Sequence, residues 1–249
     1  MPLDPALARQ FAEEFDQYGN PRGSIWLVGP EEAGVETLAD FERRLGAWEK
    51  LGKSPVVDAF EFHELIGERA LFEGDRRKTQ TTWRRLILLL LAAQGKEPSL
   101  DAVWQYQRAR LGRNGSDEWW TELYPLPSHS EGHWVYDELA AHPGLQFMAE
   151  RDTCKAYCRP FKVSRLKAAL ETGPRPRAVV FYGRGVRNEH ADAWDDVAGT
   201  PVRADIGTGA WHAVKDGTLF VSAHHPSAKW GSAYWIGTGN RMAELLVAL

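Results

Sequence analysis

Residues 221–235, VSAHHPSAKWGSAYW, decide how the chain is read. A short apolar strand ends at Val221 and runs into His224-His225-Pro226-Ser227, followed by a small, basic loop carrying Lys229 and Trp230. Two imidazoles just past a strand end, with a proline fixing the next turn, are how a sheet presents polar chemistry in a crevice.

Upstream, three stretches have the same strand-then-loop form. Ser24 to Val28 (SIWLV) is a continuous apolar run, the pattern of a strand buried on both faces, and it ends in Gly29-Pro30-Glu31-Glu32-Ala33-Gly34. Glu118 to Tyr124 (EWWTELY) is an aromatic strand, stopped near Tyr124 because Pro125 and Pro127 cannot continue a central strand. Arg177 to Tyr182 (RAVVFY) is released by Gly183-Arg184-Gly185. Between them the periodicity predicts helices over 3–18, 35–51, 79–93 with threonine caps, 100–112, 139–151, 153–172, 189–197 and 239–249. Residues 54–72 combine a short strand with a helical stretch, in which His63 reads as a structural histidine. Helices alternating with buried strands predict an α/β fold: a three-layer α/β/α domain over residues 1–249 with a central, largely parallel four-stranded sheet.

Composition narrows the function classes. The 249 residues are 43% hydrophobic, enough for a core, and the formal net charge is −4, which argues against a surface coated in positive charge. A local basic stripe nevertheless runs through Lys155, Arg159, Lys162, Arg165, Lys167, Arg175, Arg177, Arg184 and Arg187, and is a phosphate-binding face or a solvated helix face. The first residues read as an amphipathic helix and the apolar run 86–93 is too short to span a bilayer, so a cytoplasmic protein without a membrane partner is expected. Cys154 and Cys158, four apart on a helix, are expected to be reduced thiols. No metal is expected, either there or at His129 and His133, which lack an HExxH pattern.

Four segments taken together, WLVGPEEAG (26–34), LYPLP (123–127), VVFYGRG (179–185) and SAHHPSA (222–228), resemble the uracil-DNA glycosylase superfamily in order and across most of the chain. The resemblance implies a DNA-binding monomer that flips a damaged or deaminated base out of the helix. It then removes the base by hydrolysis, without metal or redox cofactor. It places Glu31 or Glu32 on the loop that handles water and His225 near the base carbonyl, as catalytic residues. Gly29, Glu122 and Tyr124 fall beside the base, with Glu122 where the family often has asparagine. Ser227, Ala228, Lys229, Trp230 and Arg184 fall on the DNA-contacting surface. A carboxylate near the sugar and a donor near the base oxygen suit a step that builds positive charge on one and negative charge on the other. Two alternatives stay open: a same-fold protein that binds nucleic acid or a nucleotide without excising uracil, and an unrelated α/β hydrolase or transferase using His224 and His225. The latter lacks both GxSxG and GxxxxGK[ST].

Overall fold

The computed structural model describes residues 3–73, 79–130, 132–184, 189–199 and 203–249. Its centre is a mixed sheet of seven strands. Strand β2 (Ile25–Glu31) pairs in parallel with β3 (Glu118–Tyr124) on one side and with β4 (Ala178–Arg184) on the other, and β4 pairs in parallel with β7 (Thr218–His224). One antiparallel strand, β1 (Tyr18–Gly19), flanks β3, and two, β6 (Trp211–Lys215) and β5 (Ala204–Asp205), follow β7. The order is β1-β3-β2-β4-β7-β6-β5. The expected four-stranded sheet is thus the parallel middle of a wider, mixed one.

The four central strands are apolar on both faces because both are covered, and alternate residues serve different cores. Ile25, Leu27, Trp120, Val180 and Val221 enter one core. It is shared with helices α1 (Pro5–Glu14), α2 (Leu38–Lys50), α3 (Ala59–Leu65), α4 (Thr81–Ala93), α5 (Leu100–Ala109) and α8 (Ser232–Val247). Trp26, Val28, Trp119, Phe181 and Phe220 enter the other, against α6 (Arg151–Thr172) and α7 (Glu189–Ala198). Within the first core α4 and α8 approach through Gly239. A Cβ there would collide with the Leu89 carbonyl oxygen and lie 2.7 Å from Ala92 Cβ. Gly239→Ala is accordingly expected to destabilise the fold by about 1–3 kcal/mol, read from urea unfolding.

Several expectations are corrected. In place of a helix over 139–151 stand two short 3₁₀ turns, Asp137–Ala141 and Gln146–Met148, and the long helix starts at Arg151. The cap of α4 is Gln80, which makes no side-chain cap bond, so the threonines do not cap it. The C-terminal helix begins at Ser232, seven residues before Gly239. The first central strand runs through Gly29 and Pro30 to Glu31; Pro30 fits because neither neighbour pairs with it in register. The β6–β7 hairpin was not anticipated. Its turn is Asp216-Gly217, both with positive φ (51° and 77°), as a two-residue hairpin requires. Both cysteines are free and buried, with sulfurs 3.9 Å apart. No described helix is long and apolar enough to cross a membrane.

Candidate functional site

From β2 the chain crosses to β3 on one side and later returns to β4 on the other, so the sheet's topological switch lies between β2 and β4. Ligands of open parallel sheets bind beyond the strands' carboxyl ends at such a point. A cavity of about 90 Å³ lies there, with Glu31, Glu32, Glu122, Tyr182 and His225 among its walls. It adjoins an outer chamber of about 410 Å³ that shares Glu31, Ala33, Thr82 and His225 and adds Ser128, His129, Lys155 and Ser227. A larger groove of about 640 Å³, between α1 and α2, contains none of these residues.

Glu31, the last residue of β2, and Glu32, just past it, differ in role. Glu32 is anchored: it accepts hydrogen bonds from Tyr18 Oη (3.0 Å) and Arg44 Nη1 (3.0 Å), and His63 Nε2 lies 3.8 Å away. Burial opposes the Arg44 charge, but Glu32, Tyr18 and Glu68 together outweigh it and raise the guanidinium's pKa. His63 is buried, its Nδ1 2.7 Å from the Ala59 carbonyl, and desolvation lowers its pKa. Glu31, in contrast, borders both cavities. Its Oε1 accepts from Arg151 Nη1 at 2.8 Å, and Lys155 Nζ is 3.8 Å from Oε2. Arg151 also donates to the Ser128 hydroxyl and to the Ser130 and His133 carbonyls, so one side chain fixes both the carboxylate and the facing loop.

Glu122 lies across β2 rather than along its own strand. Tyr182 Oη donates to Glu122 Oε1 at 2.6 Å, and Oε2 is buried without a hydrogen-bond partner. Burial pushes this carboxyl up to about 8, against the Tyr182 bond and with the Glu32 charge adding to the rise. At neutral pH Glu122 is therefore mostly the neutral acid. With Oε1 accepting from Tyr182, the proton sits on Oε2 as a donor. Gly29 makes this placement possible: a Cβ there would overlap Glu122 Oε2 and lie 2.5 Å from Tyr182 Cζ. Gly29→Ala is expected to displace Glu122, lowering stability by about 1–3 kcal/mol and removing the alkaline titration of Glu122 from a carboxyl-labelled NMR spectrum.

On the loop after β7, the Ser227 backbone N–H donates to His225 Nδ1 (3.1 Å), and the Ser227 hydroxyl is 2.7 Å from the same nitrogen. An accepting Nδ1 leaves the neutral ring's proton on Nε2. The loop itself is pinned from α4, where Arg85 donates to the carbonyls of Pro226 and of Ala228 (2.7 Å). Lys229 and Ser227 are exposed, and Ala228 is half-buried. Trp230 stacks on His224 at 4.4 Å between ring centroids. Arg184, re-aimed by a bulge at Gly183, donates to His224 Nε2 (2.9 Å) and to the Gly209 carbonyl, and covers the Trp211 ring.

The remaining expected residues divide. Tyr124 is buried in the second core, with Lys155 Nζ 4.9 Å from its ring, and is not among the residues lining either cavity. The basic stripe is not one phosphate-binding face. Lys162 is buried against Asp16 and Thr121, Arg165 binds Asp16, Arg159 binds Asp196, and Arg177 donates to the Leu246 carbonyl. Arg187 lies outside the described residues. Among the described residues no group of three or more His, Cys, Asp or Glu side chains is placed to hold a metal ion. The chain's reading as a sequence missed Tyr182, Arg151 and Gln17, which complete the site. Tyr182 had a signal, as the last apolar residue of a strand entering the switch.

Comparison with family models, with curated proteins and with solved structures finds no significant match to this chain.

Proposed function

We propose that this cleft takes a base swung out of DNA and hydrolyses its N-glycosidic bond. The observation that carries the reading is the convergence of Glu31, the neutral Glu122 and an Nε2-protonated His225 around one narrow cavity at the sheet's switch point. Glu31, at the boundary of the two chambers, orients a water toward the sugar C1′ and stabilises the positive charge that develops there. His225 donates from Nε2 to the base oxygen as the C1′–N bond breaks. The water oxygen ends on C1′, and the departing base keeps the bond's electron pair and takes up a proton. Glu32 acts through position: it holds Tyr18 and Arg44 in place, and its charge adds to the burial that keeps Glu122 neutral. Ser227 lines the outer chamber, and the exposed Lys229 and the stacked Trp230 follow it on the same loop, which the reading takes as the side where DNA approaches. The parallel strands between two helical layers serve as the three-layer domain of the resemblance, and the reading takes the protein to be a cytoplasmic monomer.

A second reading has its own support. Glu31 is already paired with Arg151 and close to Lys155, which suits binding of a nucleotide without hydrolysis. Oligonucleotides carrying uracil, hypoxanthine or xanthine, incubated with the protein and then treated with alkali, separate the two. Strand cleavage at the lesion that disappears in His225→Ala supports hydrolysis, whereas salt-sensitive binding with no cleavage favours the second reading.

A further inference from the structure

Among the described residues, Gln17 has a buried side chain that no protein contact accounts for. It is 1% exposed, and both its amide oxygen and its amide nitrogen are buried without a hydrogen-bond partner. Its backbone has φ 70°, a region that side chains other than glycine rarely occupy. Neighbours hold it there. The Gln17 carbonyl accepts from Val57 N–H (2.8 Å), Asp16 N–H donates to Pro55 O (2.6 Å), and Tyr18 Oη is bound to Glu32. A buried amide with neither group satisfied, on strained backbone that is locked on both sides, calls for an absent partner.

That partner's place is the inner cavity, because Gln17 lines it together with Glu122 and Trp120. Trp120 Nε1 and Glu122 Oε2 are likewise buried and unpartnered. Indole N–H only donates, and an amide both donates and accepts. The three groups therefore ask for a ligand edge with carbonyl acceptors and at least one N–H. The cavity, at about 90 Å³, is smaller than the ~150 Å³ that encloses benzene, so a ring enters edge first with its far side in the outer chamber.

We propose that Gln17 is the specificity-determining contact of this pocket, pairing its amide with the lactam edge (C=O beside N–H) of a planar ring. Trp120 donates to a second acceptor of the ring. The neutral state of Glu122 adds a further donor and disfavours rings that present amino groups. The inference rests on the reading of the cleft as a base pocket, but not on hydrolysis taking place there.

The test uses the full chain with 1-methyluracil and 9-methylhypoxanthine as lactam rings and 1-methylcytosine and 9-methyladenine as amino rings, each methyl group blocking the ring nitrogen that carries the sugar in DNA, titrated by ligand-observed NMR. The wild type is expected to prefer the lactam rings. Gln17→Met and Gln17→Glu are expected to weaken them at least about 10-fold. Because Gln17→Met removes an unsatisfied buried amide, its melting temperature is expected to rise by about 2–4 °C, which a merely structural glutamine would not produce. Equal binding of amino rings, unchanged binding in Gln17→Met, or no binding of any ring overturns the inference. Base release from DNA at unchanged rate and preference in Gln17→Met overturns it while leaving hydrolysis intact. Lactam binding through Gln17 with no release from DNA sustains it and removes hydrolysis instead.

Discussion

Glu31→Gln is expected to slow base release by about 100-fold to 10,000-fold while leaving a folded protein, whereas Glu32→Gln is expected first of all to destabilise the fold. The contrast follows from what each carboxylate holds. Arg151, the partner of Glu31, keeps acceptors at Ser128, Ser130 and His133 when Glu31 loses its charge. Arg44 has a side chain only 3% exposed, and Glu32 is the acceptor of its guanidinium. Neutralising Glu32 leaves a buried cation uncompensated, a change that costs about 3–5 kcal/mol. Single-turnover base release and urea unfolding on both variants separate the two roles. Equal loss of release in two equally stable variants would mean that the glutamates act as one unit.

The second large effect is on pH dependence. Burial raises Glu122 to about 8 and Glu118 to about 7, the latter with one oxygen accepting from Tyr106 and the other unpartnered. In the unfolded chain both groups ionise at the ordinary glutamate value, so between that value and their folded values only the folded state keeps the protons. The stability present in acid is then lost progressively as pH rises from the ordinary glutamate value through about 7 and 8, amounting to several kcal/mol. Urea unfolding at pH 5 and pH 9 is expected to show this fall. The double variant Glu118→Gln with Glu122→Gln is expected to flatten it, since an amide keeps the shape without the titration. A wild-type protein as stable at pH 9 as at pH 5 would mean that these carboxyls are ionised in the fold.

What could be read from the sequence follows from how local each cause is. The end of β3 at Tyr124 was legible because Pro125 and Pro127 act on their own neighbours. The reach of β2 through Gly29 was not, since Gly29 is required by the Glu122 carboxyl and the Tyr182 ring arriving from two other strands. The hairpin turn Asp216-Gly217 was a visible signal, hidden by the short, half-exposed strand before it. The basic stripe misled because Asp16, which neutralises Lys162 and Arg165, lies about 150 positions away in the chain. His225 was legible from Pro226 and Ser227, and the loop bonds made by Ser227 account for its orientation. Gln17 carried no sequence signal: a glutamine between aspartate and tyrosine becomes informative only when its amide is found buried beside the cavity.

The most direct test of the account is mass spectrometry of a lesion-bearing oligonucleotide after incubation with stoichiometric protein at neutral pH. The account predicts release of the free base and a strand lighter by the base less one water, with the backbone uncut and the product absent for His225→Ala. Strands of unchanged mass for every lesion, with a folded protein present, would contradict it.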